Sequence, residues 1–209
     1  MVLFIRTRRW PAVVATIAAA ALLTVACGPL AVALNPTGEG LVRVALLIPL
    51  LPAVAIAAAF ESALPAQEAV AARRLRLERA AHLVLLTGLA VGLLAGASTL
   101  IPAPEGSASL IGHGPISVVR NTLALTGTAL LGYRFLGPQA GWVPPVAWVI
   151  IPPLLMPRPD QDPGRLFTLV TQPDRALEPF TLALGIWVVA LVVRVVDGLA
   201  RLTPPRSTS

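Results

Sequence analysis

In "ISVVRNTLAL", Arg120 and Asn121 interrupt an otherwise apolar run, and in "LVVRVVDGLA" Arg194 and Asp197 do the same three positions apart. Ionisable groups inside apolar runs are expensive in lipid, so they mark pathways, pair with one another, or snorkel toward the headgroups. Arg194 and Asp197 have the spacing at which two side chains face each other on a helix. Two readings stay open. Arg120, Asn121, Arg194 and Asp197 line a polar pathway, or they pair locally near helix ends. Other chemistry finds few residues. His82 and His113 lie near no nucleophile or acid cluster, and no G-x-S-x-G, H-E-x-x-H or phosphate-loop pattern occurs. Cys27 is the single cysteine, which excludes an internal disulfide and a multi-cysteine metal site. Asp160 and Asp162 in "RPDQDPG" have no further spaced ligands and make a poor cation site. The expectation is a chain that is not an enzyme, with no catalytic, metal or cofactor-binding residues.

The elements that position these residues follow from composition. Hydrophobic residues make up 56% of the chain and charged residues 12%. A soluble domain carries about 25% charged residues. Crossing a bilayer takes about 20 apolar residues, and six candidates appear: 10–34, 41–60, 81–101, 116–135, 141–156 and 180–200. The expected fold is an all-α polytopic membrane helix bundle, a single integral membrane domain of about six transmembrane helices.

Charge sets the orientation. The net charge is +6, and all 16 basic residues are arginine. They flank apolar runs, so a membrane explains them and nucleic acid is not an expected partner. With both termini inside, 11 arginines fall on the cytoplasmic side and 5 outside (Arg43, Arg120, Arg158, Arg165, Arg175). The positive-inside rule then places both termini in the cytoplasm. Arginine without lysine, amid much Ala, Gly and Pro, suggests a high-GC bacterial genome and a multi-pass place in the bacterial cell membrane. "RTRRWPAVVATIAAAALLTVAC" also resembles a lipoprotein signal ending on Cys27, but five apolar runs follow it, which favours an ordinary first span.

Packing signals are local. Gly88, Gly92 and Gly96 repeat every four residues, and Ala124, Thr128 and Gly132 repeat the spacing in the next span. Such faces allow close backbone approach. Internal packing of the two faces on each other is expected first, and a homo- or hetero-dimer interface second. Pro144, Pro145, Pro152 and Pro153 argue against an unbroken fifth helix, and Pro49 and Pro52 predict a kinked second span. Broken backbone at membrane depth can mark a transporter site or a merely kinked helix.

The segment 61–80 concentrates charge, with Glu68, Arg73, Arg74, Arg76 and Glu78. It is rich in helix formers and has no apolar stripe. It is either a solvated elbow or a dock for a cytoplasmic partner. The outer segment 157–179 holds "GRLFTLVTQ", apolar enough to dip into the interface as a short helix or half-span.

Six spans, a basic helix after the second and a semi-apolar outer segment before the sixth resemble the membrane subunit of ABC-2-type ATP-binding-cassette exporters. "RNTLALTGTALLGYRFLGPQAGWVPP" also looks like a run in small six-span permease-like proteins of high-GC bacteria. The resemblance implies a permease subunit without its own ATPase. Residues 68–78 would then match the coupling helix that meets a cytoplasmic ATP-binding subunit, and "GRLFTLVTQ" the outer re-entrant helices. A non-transporting scaffold or accessory subunit is the alternative, and a membrane enzyme acting on lipid-linked substrates the third.

Overall fold

The computed structural model describes residues 10–33, 41–60, 72–101, 114–155, 169–172 and 177–200. Among them the fold is all-α, with six helices: α1 Trp10–Cys27, α2 Leu50–Ala59, α3 Ala72–Thr99, α4 Pro115–Ala140, α5 Val143–Leu155 and α6 Leu177–Ala200. One small antiparallel ribbon joins α1 to α2, pairing β1 (Ala31–Ala33) with β2 (Leu41–Arg43) in the register Val32 to Val42. Two 3-10 turns complete the chain trace, Val44–Leu46 before α2 and Leu169–Thr171 before α6.

Proline sets where the helices begin. Pro115 opens α4, Pro52 lies in the first turn of α2, Pro144 and Pro145 in that of α5, and Pro179 in that of α6. The first turn has no intrahelical acceptor for its N–H groups, so a proline there removes nothing. This corrects two expectations. The second span is not a kinked helix from residue 41. Its first residues form the ribbon and a 3-10 turn, and helix begins only at Leu50 with Pro49 as its cap. The fifth element is a continuous short helix, with Pro152 and Pro153 confined to its last turn. The break falls upstream instead, at Gly137, whose φ of 79° and ψ of −179° interrupt α4 just before Pro138. That backbone region is open essentially to glycine alone.

At about 1.5 Å per residue, α2 and α5 span about 15 and 20 Å, short of the roughly 30 Å hydrocarbon layer. Three helices are long and apolar enough to cross a membrane: 10–27, 78–99 and 177–196. The fourth long helix, α4, is the axis of the bundle. It packs against α2, α3, α5 and α6. Its buried residues run from Ser117 to Tyr133 and include Arg120, Asn121, Thr122 and Thr126.

The main core gathers Ile17 of α1, Ile56 of α2, Leu83 and Leu86 of α3, Leu130 of α4 and Ala190 of α6. Large apolar side chains also face outward. Leu85, Leu89 and Leu93 of α3 are exposed, as are Val188, Val189 and Val192 of α6. Contiguous exposed apolar faces on that scale mark contact with a membrane or another protein, and on helices of this length the membrane accounts for them.

Candidate functional site

The polar residues of α4 converge on the two 3-10 turns. Ser117, Arg120 and Asn121 occupy i, i+3 and i+4 positions, hence one helix face. Arg120 and Asn121 are fully buried. The Asn121 amide Nδ2 donates to the carbonyl of Val170 at 2.9 Å and to that of Leu46 at 3.2 Å. The Arg120 Nη2 donates to the Gln172 carbonyl at 2.7 Å, and the Ser117 hydroxyl donates to the same oxygen at 3.4 Å. A longer contact of 3.4 Å runs from Arg120 Nε to Asn121 Oδ1.

The physical need is plain. Leu46 and residues 169–172 lie in or next to short 3-10 turns packed inside an apolar bundle, with Leu46, Leu169, Val170 and Gln172 buried. Their carbonyls have no water to turn to, and a buried unpaired carbonyl costs about 1–3 kcal/mol. One face of α4 supplies the donors. Arg120, read from the sequence as lining a polar pathway or lying near a helix end, turns its guanidinium inward onto the Gln172 carbonyl at the end of the 3-10 turn Leu169–Thr171. Of the apolar stretch "GRLFTLVTQ", residues 169–172 are described, and Leu169 and Val170 pack against α4 residues in the bundle.

The other expected site residues are placed differently. Arg194 is half-buried and donates from Nη2 to the Leu130 carbonyl of α4 at 3.1 Å. It therefore braces α6 on α4 and joins no cluster with Arg120. The side chain of Asp197 lies outside the described residues. Arg73, Arg74, Arg76 and Glu78 sit on the first two turns of α3, continuous with the membrane helix. Glu78 is exposed, while the three arginine side chains, like all of Glu68, lie outside the described residues. The helix of 28 residues is about 42 Å long, so its charged start extends past the roughly 30 Å layer. At that end His82 meets the Trp10 ring edge-on, with centroids 4.9 Å apart. His113, Asp160 and Asp162 lie outside the described residues.

The two small-residue faces do not pack on each other. Gly88, Gly92 and Gly96 are exposed, and a β-carbon at any of them would meet nothing within 4 Å. The face that α3 turns inward carries Leu83, Leu86, Ala90 and Leu94 instead, because these larger side chains fill the space beside α4. On α4 the small residues do pack. Ala124 is buried, Thr128 is half-buried, and Gly132 lies against Gly141 and Pro144 at the start of α5. One close helix approach was not foreseen: a β-carbon on Gly127 would lie 2.9 Å from the backbone of Trp187 on α6.

Ser117, Gln172 and Arg43 also escaped the sequence reading. Ser117 was legible in principle, as it shares a helical face with Arg120 and Asn121. Gln172 was not, since its carbonyl takes part and its side-chain type says nothing of that. Arg43 counted only as a flanking charge. It is 5% exposed, and among the described residues its Nε has no hydrogen-bond partner. Burial holds its guanidinium below the ordinary arginine value.

No family model matches the chain, and neither a curated protein nor a solved structure matches it. The fold and the buried cluster define a class: an all-α bundle with three helices long and apolar enough to cross a membrane, whose central helix anchors two 3-10 turns.

Proposed function

We propose that this chain is a permease-type membrane subunit of an ATP-driven exporter, multi-pass in the bacterial cell membrane with both termini cytoplasmic. The observation that carries the reading is the buried turn at Leu169–Gln172, between α5 and α6 and tied to α4 by Arg120 and Asn121. In the ABC-2 layout this is the place of the outer re-entrant segment. A re-entrant element gripped by the central helix moves with it, which suits a gate at the outer face.

The charged start of α3 supports the other half of the reading. Arg73, Arg74 and Arg76 continue directly into a rigid helix whose Leu83, Leu86 and Ala90 enter the main core. A cytoplasmic ATP-binding subunit seated on those arginines would act on the bundle through α3. The test is co-purification with a candidate ATP-binding subunit, comparing wild type with the triple change Arg73→Gln, Arg74→Gln and Arg76→Gln. Recovery should fall in the variant while its topology, read by cysteine labelling, stays the same. Equal recovery over a range of salt would refute the docking.

A non-transporting accessory subunit is the second reading. It is favoured by the open face of Gly88, Gly92 and Gly96, which suits close approach by a helix of a second subunit, identical or different. Crosslinking from Gly92→Cys separates the two: a partner other than this chain's own copy or a permease would favour the accessory role.

A further inference from the structure

The end of the bundle that carries the ribbon holds a buried cation outside the Arg120 cluster. Arg43 closes β2, is 95% removed from solvent, and among the described residues its Nε has no hydrogen-bond partner. A buried guanidinium donor without an acceptor is costly, and the cost falls when an anion meets it. Arg43 lines a small pocket with Ser98 and Ile101 at the end of α3 and with Gly114 and Val118 at the start of α4. The pocket has room for about one water-sized atom, roughly 10 Å³.

The second feature is the beginning of α4 itself. Gly114 caps this 26-residue helix without any side-chain hydrogen bond, and Pro115 follows as its first residue. The N–H groups of the first turn carry the positive end of the helix dipole. Helix N-termini of this kind bind phosphate oxygens. Here a guanidinium buried beside the same turn adds a full positive charge and the planar donor fork that suits oxyanions.

We propose that Arg43 and the first turn of α4 bind one oxygen of a phosphate-type oxyanion. Its source is either a phospholipid headgroup or free inorganic phosphate. The pocket admits an anionic oxygen and leaves the rest of the group outside. Ser98 lines the pocket, its hydroxyl donates to the Ala95 carbonyl, and it adds no charge. The site is independent of whether the chain transports anything, since it needs only the ribbon, α3 and α4.

The experiment uses the full chain in a neutral detergent, stripped of lipid. Melting temperature is followed while adding phosphatidylglycerol in mixed micelles, phosphatidylcholine in the same micelles, or inorganic phosphate. Wild type should be stabilised, and native mass spectrometry should find one phospholipid retained if the headgroup is the source. Stabilisation by inorganic phosphate alone would assign a free anion. Arg43→Gln should weaken either response roughly tenfold to a hundredfold, the worth of a charge-assisted hydrogen bond, and Arg43→Lys should keep part of it. Arg134→Gln, at the other end of α4, should leave the response unchanged.

Without ligand, Arg43→Gln should melt no lower than wild type, because it removes a buried guanidinium donor without an acceptor. A lower melting point there, reproduced by Glu39→Gln or Glu105→Gln, would show that a carboxylate of the chain neutralises Arg43 and would overturn the site. Equal responses of wild type and Arg43→Gln to all three additives would overturn it as well.

Discussion

Asn121 gives both amide protons to backbone carbonyls of different segments, Leu46 before α2 and Val170 before α6. A side chain of this kind has no apolar substitute, since its removal leaves two carbonyls without donors in a site closed to water. Asn121→Leu, close in volume, should cost about 1–3 kcal/mol for each carbonyl stranded. For a chain of this size that lowers the melting temperature by about 2–4 °C per kcal/mol, measurable in detergent. Thr122 is the control. It is equally buried, but its hydroxyl bonds only to Val118 of its own helix, and that carbonyl keeps its helical partner. Thr122→Val should therefore shift the melting temperature little. Equal losses in the two variants would mean that the cluster does not hold the turns.

At the scale of elements, glycine separates helix contacts from open faces. Gly127 lets α4 and α6 approach until a β-carbon would press on the Trp187 backbone at 2.9 Å. Gly127→Ala should push the helices apart at a cost of about 1–3 kcal/mol, as overpacking does. Gly92 meets nothing, and Gly92→Ala should be neutral or slightly stabilising in isolated monomer, since alanine favours helix by about 1 kcal/mol. Loss of stability in Gly92→Ala that depends on protein concentration would instead locate a subunit contact on α3. Gly137 is a third case. Nothing crowds it, but its φ of 79° excludes a side chain on backbone grounds alone. Gly137→Ala should cost about 1–3 kcal/mol, since the kink within α4 holds this residue in a backbone region that side chains disfavour. Its melting temperature, compared with that of Gly92→Ala, separates backbone strain from packing.

For the whole molecule, the decisive quantity is the cost of moving arginine across lipid. The 11-to-5 division of arginines sets a testable orientation. In a Cys27→Ala background, Arg76→Cys should be shielded from membrane-impermeant thiol reagents added outside, and Pro163→Cys should react. The reverse pattern would turn the bundle over, and with it the leaflet that the ribbon end and Arg43 face. The same measurement reports on α3, since its charged start and its apolar remainder form one continuous helix.

Helicity and the three long apolar helices were legible from composition and run length alone, because a chain this poor in charge can satisfy its backbone in lipid only internally. The expected positions of the first, third and sixth spans overlap α1, α3 and α6 closely. Arg120 and Asn121 stood out for the same reason: a donor in an apolar run must have a purpose. What they bind did not show, since their acceptors are backbone carbonyls at Leu46, Val170 and Gln172, far away along the chain and free of any side-chain signature. The inward face of α3 was also invisible. In water, apolar periodicity tells inside from outside, but in lipid both sides of a helix are apolar, and small residues suit an internal contact, a subunit contact or no contact at all. Only the packing of larger side chains around α4 chose Leu83, Leu86, Ala90 and Leu94 over the glycines, because volume, and not polarity, separates the faces of a helix in a solvent as apolar as its own core.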